Sequence, residues 1–263
     1  KPQQALNWLE TELPTLITIV RCCAEHAELR DIAAEFVLPL GNYLPPRGNW
    51  TALAEIADLA LSASAAGDDQ RGQARALTAL ALIDQHVGDL PGAQQRLGEA
   101  LRIRRAIGDV AAQATTLDHL GLVDWHIGQP QIAVSRLRQA LRLHRRLGRA
   151  AHAATTLHNL AEIHESLGRP DTAQRLLGRS LTLRRQSEDR FGEACTLVVL
   201  GRVQALAGDI ASATANLDDG IRLSSQVGYL ESEWEGLICR AELARRCDDP
   251  VTATRDLDAA LTI

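Results

Sequence analysis

Apolar and small residues recur every forty positions from Arg71 onward, in gapless blocks at 71–110, 111–150, 151–190, 191–230 and a truncated 231–263. One column reads Leu77, Leu117, Leu157, Leu197 and Leu237, and a small column reads Ala81, Gly121, Ala161, Gly201 and Ala241. A second small column is Ala93, Ala133, Ala173, Ala213 and Ala253, followed four places on by Leu97, Leu137, Leu177, Leu217 and Leu257. So many aligned columns mark an internal repeat. Within each block the apolar positions are spaced by three and four, which predicts two amphipathic helices and no strand.

The punctuation fits a helical hairpin. Gly88, Gly128, Gly168 and Gly208, with Asp248 in the fifth block, stand where the first helix must end. Glycine takes the left-handed C′ conformation there without a Cβ penalty. The second helix opens on Pro130, Pro170 or Pro250, or behind the N-cap candidates Asp89 and Asp209. Proline is tolerated in a first turn because its missing N–H would be unpaired anyway. Gly108, Gly148 and Gly228 close the second helix, and Asp109 and Asp189 can cap the next one. Residues 31–70 fit the frame weakly and read as a degenerate first repeat, in which Tyr43-Leu44-Pro45-Pro46 ends one helix early and Trp50 opens the next. Residues 1–30 read as N-terminal linker helices, with Pro14 dividing the amphipathic stretch 4–27 into two.

The chain of 263 residues is 46% apolar but only 3% aromatic. Ala and Leu carry most of the apolar content, which suits thin helical layers better than one large core. A net charge of −5 gives no nucleic-acid footprint. No apolar run of about 18 residues exists to span a membrane, and the start Lys1-Pro2-Gln3-Gln4 is not a signal peptide. The cysteines (22, 23, 195, 239 and 247) are odd in number and lack a CxxC pair, which points to a reducing, cytoplasmic setting. With no methionine, a Lys at position 1 and apolar positions still repeating through Leu257–Ile263, the chain reads as a fragment.

This pattern resembles the tetratricopeptide repeat (TPR). The resemblance rests on the two small columns, the leucine column after the second, and the further small column Ala100, Ala140, Ser180, Gly220 and Ala260. It departs where Leu and polar residues (Asp84, Asp124, His164) replace the usual aromatics, where the closing Pro is missing, and in a period of forty instead of about thirty-four. The resemblance implies an all-α, right-handed TPR superhelix, an α-solenoid of forty-residue hairpins with a helical lead-in. The segment Ala5 to Leu16, with Trp8, Leu9, Glu12 and Leu13, is followed by the turn Arg47-Gly48-Asn49-Trp50 and by the turns Ile107-Gly108-Asp109, Leu147-Gly148-Arg149 and Leu167-Gly168-Arg169. Together these are similar to the C-terminal sensor region of actinobacterial STAND regulators, including SARP-type transcription factors. The nucleotide-binding residues of that family would lie upstream of Lys1.

In such arrays the first helices line a concave groove. The groove candidates are Asp118, His119, Trp125 and His126 from the second full repeat, His158, Asn159 and Glu162 from the third, and Arg202 from the fourth. An Asn side chain both donates and accepts, which suits an extended peptide; the plainer reading of Asn159 is a solvated groove residue. Trp125 either anchors a partner or packs under the next helix. His86, His119, His126 and His158 project toward one groove, with His86 and His126 in one column. That arrangement could sense pH or hold a metal, but no carboxylate or cysteine has ligand spacing beside them. The clusters Arg102/Arg104/Arg105, Arg142/Arg145/Arg146 and Arg184/Arg185 form a basic ladder along one edge, which nearby acids can neutralise. Trp234 replaces an Ala column and widens the packing near the end of the chain or meets further sequence.

No phosphate loop, nucleophile elbow or metalloprotease motif is present. The expected function is therefore non-enzymatic recognition, with no cofactor. The partner is a protein, peptide or effector in the groove, or the regulator's own nucleotide-binding domain, and this fragment contacts neither nucleic acid nor membrane. The alternative is a free-standing TPR adaptor or peptide-pheromone receptor.

Overall fold

A computed structural model describes residues 2–44 and 48–263, so Arg47 of the expected Arg47–Trp50 turn, with Pro45 and Pro46, lies outside the described residues. The fold is all-α, a series of consecutive TPR hairpins of the α-solenoid class. A lead-in helix α1 (Pro2–Glu25), a 3-10 turn (Ala27–Leu29), α2 (Arg30–Glu35), α3 (Val37–Tyr43) and α4 (Trp50–Ala66) precede the regular pairs. These are α5 (Gln70–His86) with α6 (Leu90–Ala106), α7 (Val110–His126) with α8 (Pro130–Arg146), and α9 (Ala150–Ser166) with α10 (Pro170–Gln186). They continue as α11 (Arg190–Ala207) with α12 (Ile210–Val227), and α13 (Leu230–Arg246) with α14 (Pro250–Leu261). Among the described residues no helix is long and apolar enough to cross a membrane.

Tight turns follow from the residues between helices. Gly88, Gly128, Gly168 and Gly208 have φ of 85°, 87°, 67° and 86°, and Gly108, Gly148 and Gly228 lie between 67° and 71°. Among the described residues, three that are not glycine take the same left-handed conformation: Asp68 (55°), Glu188 (54°) and Asp248 (57°). The following helix is then capped. The carboxylates of Asp89, Asp109, Asp189, Asp209 and Asp249 accept from backbone N–H groups three residues on, at 2.9–3.2 Å. Such a cap contributes about 1 kcal/mol.

The chain divides into two compact units, Lys1–Ala133 and Val134–Ile263. In the first, α1 is continuous through Pro14, not two helices. Leu9, Leu13, Leu16, Ile17, Val20 and Cys23 keep one stripe against the core of α2, α3 and α4, and this burial outweighs a proline penalty of about 3 kcal/mol. The break falls later. Pro39 in the first turn of α3 would clash with the carbonyl of Glu35, four residues back, and α2 ends at Glu35.

In the second unit, Ala161, Ala173, Leu177, Ala194, Leu197 and Val203 form a shared core of α9 to α12. The last hairpin departs from the column frame. Leu137, Leu177 and Leu217 are fully buried, but Leu257 is 47% exposed, contrary to its expected interhelical place. Asp256 turns inward instead and is 1% exposed. Trp234 does not widen the packing either. Its side chain is 48% exposed, while Ser232 and Gly236 take the buried positions on α13.

Candidate functional site

The first helices of the hairpins carry the expected ligand-facing residues. In the first unit these sit on α7. Asp118 is buried, and His119 is half-buried with its Nδ1 sealed from solvent and without a hydrogen-bond partner. Burial pushes the His119 imidazole below its usual range, so it is neutral at pH 7. Trp125 is half-buried and meets the exposed His126 ring edge-on, at 5.3 Å and 61°. His86 lies flat on Trp50, with ring centroids 3.9 Å apart. A Trp that sequence reasoning assigned only to a helix start is thus the partner of a groove candidate.

In the second unit α9 adjoins α11, and α11 adjoins α13. His158 and Asn159 of α9 are each 8% exposed, so both are nearly closed over and not open lining. The His158 Nδ1 lies 3.5 Å from the Thr196 hydroxyl, and its Nε2 lies 3.8 Å from Glu162. Burial, with Arg184 and Arg202 nearby, lowers His158 to about 3, so this contact joins a neutral ring to a carboxyl. Among the described residues the Asn159 side chain has no hydrogen-bond partner.

Arg202 of α11 bridges repeats. Its Nη2 is 3.1 Å from Glu165 of α9, and its Nε is 3.7 Å from Glu235 of α13. At 3.7 Å the second contact is Coulombic only, and Nε has no hydrogen-bond partner. Burial raises Glu162 to about 7, with Arg202 opposing and Glu235 and Glu165 adding to the shift. Glu165 is raised for the same reasons. Burial and Glu235 also raise the Cys239 thiol to about 11, which makes it a poor nucleophile. One guanidinium therefore serves more carboxyls than it can neutralise. Glu165, Glu235 and Arg202 sit at unrelated columns, and only the packing of successive first helices unites them.

The basic ladder is corrected by burial. Arg104 and Arg184 are 8% and 7% exposed, not edge residues. Arg104 donates to the Thr116 hydroxyl and, at 3.3 Å, to the Ala74 carbonyl. Arg184 binds Asp189 at 3.0 Å. Among the described residues no group of three His, Cys, Asp or Glu side chains could hold a metal ion.

The tetratricopeptide-repeat family model matches residues 72–146 and 152–226, so the chain belongs to the tetratricopeptide-repeat family, whose repeats are a scaffold for protein–protein interaction. No curated protein matches its sequence. Solved structures share the fold at low identity. BtubC (BKLC) from P. vanneervenii superposes with a TM-score of 0.72 at 21% identity, over 85% of this chain and 92% of that one. A STAND (signal transduction ATPase with numerous domains) protein with a tetratricopeptide repeat sensor, from Pyrococcus horikoshii, gives 0.68 at 15% identity. The alignment covers 87% of this chain but only 36% of that longer one. A Rap protein complexed with competence and sporulation factor gives 0.66 at 14%, over 88% and 74% of the two chains.

Proposed function

We propose that the first-helix faces recognise a protein or peptide without catalysis, and that the chain is the sensor and autoinhibitory part of a cytoplasmic STAND-type transcriptional regulator. The observation that carries this is a shared column: the half-buried His119 on α7 has a solvent-sealed Nδ1 without a hydrogen-bond partner, and Asn159 on α9, 8% exposed, has an amide with no partner among the described residues. Folded proteins seldom leave such groups unpaired. An extended backbone offers both the donor and the acceptor that an Asn amide needs. The surplus of carboxyls around Arg202 favours a ligand with a basic side chain near Glu162, and Trp125 with His126 offers ring surface beside Asp118. Among the fold neighbours, a STAND ATPase with a tetratricopeptide sensor supports the regulator role. Ligand binding would shift an off/on equilibrium by favouring one state, and the regulator's nucleotide-binding domain would be the competing occupant.

A peptide library selected on the chain tests this. Selected peptides should bind saturably; His119→Ala should weaken those seated on the first unit and Asn159→Ala those seated on the second, each about tenfold, roughly 1.4 kcal/mol, while Trp234→Ala leaves affinity unchanged. Absence of saturable binding, or equal affinity in all variants, rejects the recognition reading. The nucleotide-binding portion of the same gene should bind the chain and be displaced by the peptide; failure there removes the regulator role alone.

A further inference from the structure

On the second-helix side of the second unit lies an open pocket of about 460 Å³. It is built where α8 ends, the turn through Gly148 reverses the chain, α9 begins and α10 crosses. Arg145, Arg149 and Arg179 line it, and no acidic residue does. The apolar wall is Ala150, Ala153, Leu157 and Leu183.

The sequence around the pocket is poor in acid. Between Asp124 and Glu162 the sequence has six arginines and no acid, and between Asp171 and Glu188 it again has no acid. Among the described residues neither Arg145 nor Arg179 has a carboxylate partner, whereas Arg184 and Arg185, also on α10, each hold one. Arg145 is held below its ordinary value by burial and by the charge of Arg179. Two guanidiniums that repel each other at one pocket mouth are stabilised by an anion between them. The N-terminus of α9, which has no acid in its first turn, opens at the same place and adds positive potential.

We propose that this pocket binds a small organic phosphate. The phosphate group lies between Arg145 and Arg179, with Arg149 at the α9 terminus as a third donor, and the carbon portion covers Ala150, Ala153, Leu157 and Leu183. Guanidinium forks match phosphate oxygens two at a time, and the volume suits a small molecule and not a folded partner. The pocket shares no residue with His158, Asn159, Glu162 or Arg202, so it stands or falls independently of peptide recognition.

Phenyl phosphate, inorganic phosphate and phenol are the probes, titrated calorimetrically at low salt. Phenyl phosphate should bind saturably and more tightly than inorganic phosphate, and phenol should not bind. Arg145→Gln and Arg179→Gln should each raise its Kd about tenfold or more, with Arg102→Gln unchanged. Both pocket variants should unfold no earlier than the wild type, because each removes one of two repelling charges. No saturable binding of phenyl phosphate below about 5 mM, or binding that both pocket variants retain within twofold, overturns the proposal. Tighter binding of a single-stranded oligonucleotide, lost in the same variants, would assign these arginines to a nucleic-acid backbone and equally overturn it.

Discussion

Arg240 and Asp256 close the last hairpin with a two-point ion pair: Nε to Oδ2 at 2.6 Å and Nη2 to Oδ1 at 2.9 Å. Arg240 stands in the column of Leu80, Leu120, Leu160 and Leu200, all buried. The fifth hairpin thus replaces an apolar contact between α13 and α14 with a charged one, and α14 presents Asp256 inward and Leu257 outward. Burial would raise the Asp256 carboxyl, but hydrogen bonds and charge from Arg240 and Arg255 hold it below the usual carboxylate range. Removing Asp256 takes away both of these part-buried hydrogen bonds of Arg240 and leaves it the exposed Asp218, 2.6 Å from its Nη1. Asp256→Ala should destabilise the unit by about 2–4 kcal/mol, and the double change Arg240→Leu with Asp256→Leu should recover most of that loss. Urea unfolding of the single and double variants measures both; an additive double variant would refute the coupling.

Glu162 makes stability depend on pH. Its carboxyl faces Arg202, Glu165, Glu235 and the neutral His158, and its folded pKa of about 7 lies above the ordinary 4.5 of a free glutamate. The folded state therefore holds a proton that the unfolded state releases between these values. This contribution is fully present below about 4.5 and declines as pH rises through 7. Glu162→Gln abolishes it. The variant should match the wild type near pH 4.5 and exceed it at pH 8 by on the order of 2–3 kcal/mol. Denaturant midpoints at both pH values check the sign. His158 works in the opposite sense: its stabilising neutrality is present above 6.5 and lost as pH falls toward 3.

Glu188 occupies a turn position that Gly108, Gly148 and Gly228 fill in other blocks, with φ of 54°. A left-handed residue with a Cβ costs roughly 1–2 kcal/mol. Glu188→Gly should raise stability by up to about 1 kcal/mol, and the reciprocal Gly148→Glu should lower it by a similar amount. Thermal midpoints of the two variants should move in opposite directions.

Arg104 and its neighbour Arg105 separate structural from surface charge. Arg104 joins α6 to α5 through the Ala74 carbonyl and to α7 through Thr116, while Arg105 is exposed. Arg104→Ala should cost about 2–4 kcal/mol, and Arg105→Ala should stay within about 0.5 kcal/mol. Equal effects in chemical unfolding would mean that the buried hydrogen bonds contribute nothing.

The helices and their turns were legible because period and punctuation act locally. Small columns and leucines state which face is buried, and a left-handed glycine states where a helix stops. The continuity of α1 was not legible, since Pro14 carries a local signal to stop and only the core against Leu13, Leu16 and Ile17 overrides it. The inward turn of Asp256 depends on an arginine sixteen residues earlier, which no column predicts. Candidate residues on the first helices could be named from spacing, but their burial could not. Asn159 and His158 share columns with half-buried and buried residues alike, and closure depends on the neighbouring α11. The acid-poor run around Arg145 was readable; its convergence with Arg179 needed the crossing of α10 over the start of α9.

Equivalent turns in successive blocks lie an equal length of chain apart. A crossover between the coding stretches for two such turns, Gly168-Arg169 and Gly208-Asp209 for example, joins a turn to its own kind and removes or adds one whole hairpin. Every new junction then repeats one that already exists, with a left-handed residue behind it and a helix start ahead. Such a gene can lengthen or shorten its recognition area in fixed steps, and evolution of partner choice need never invent a new loop.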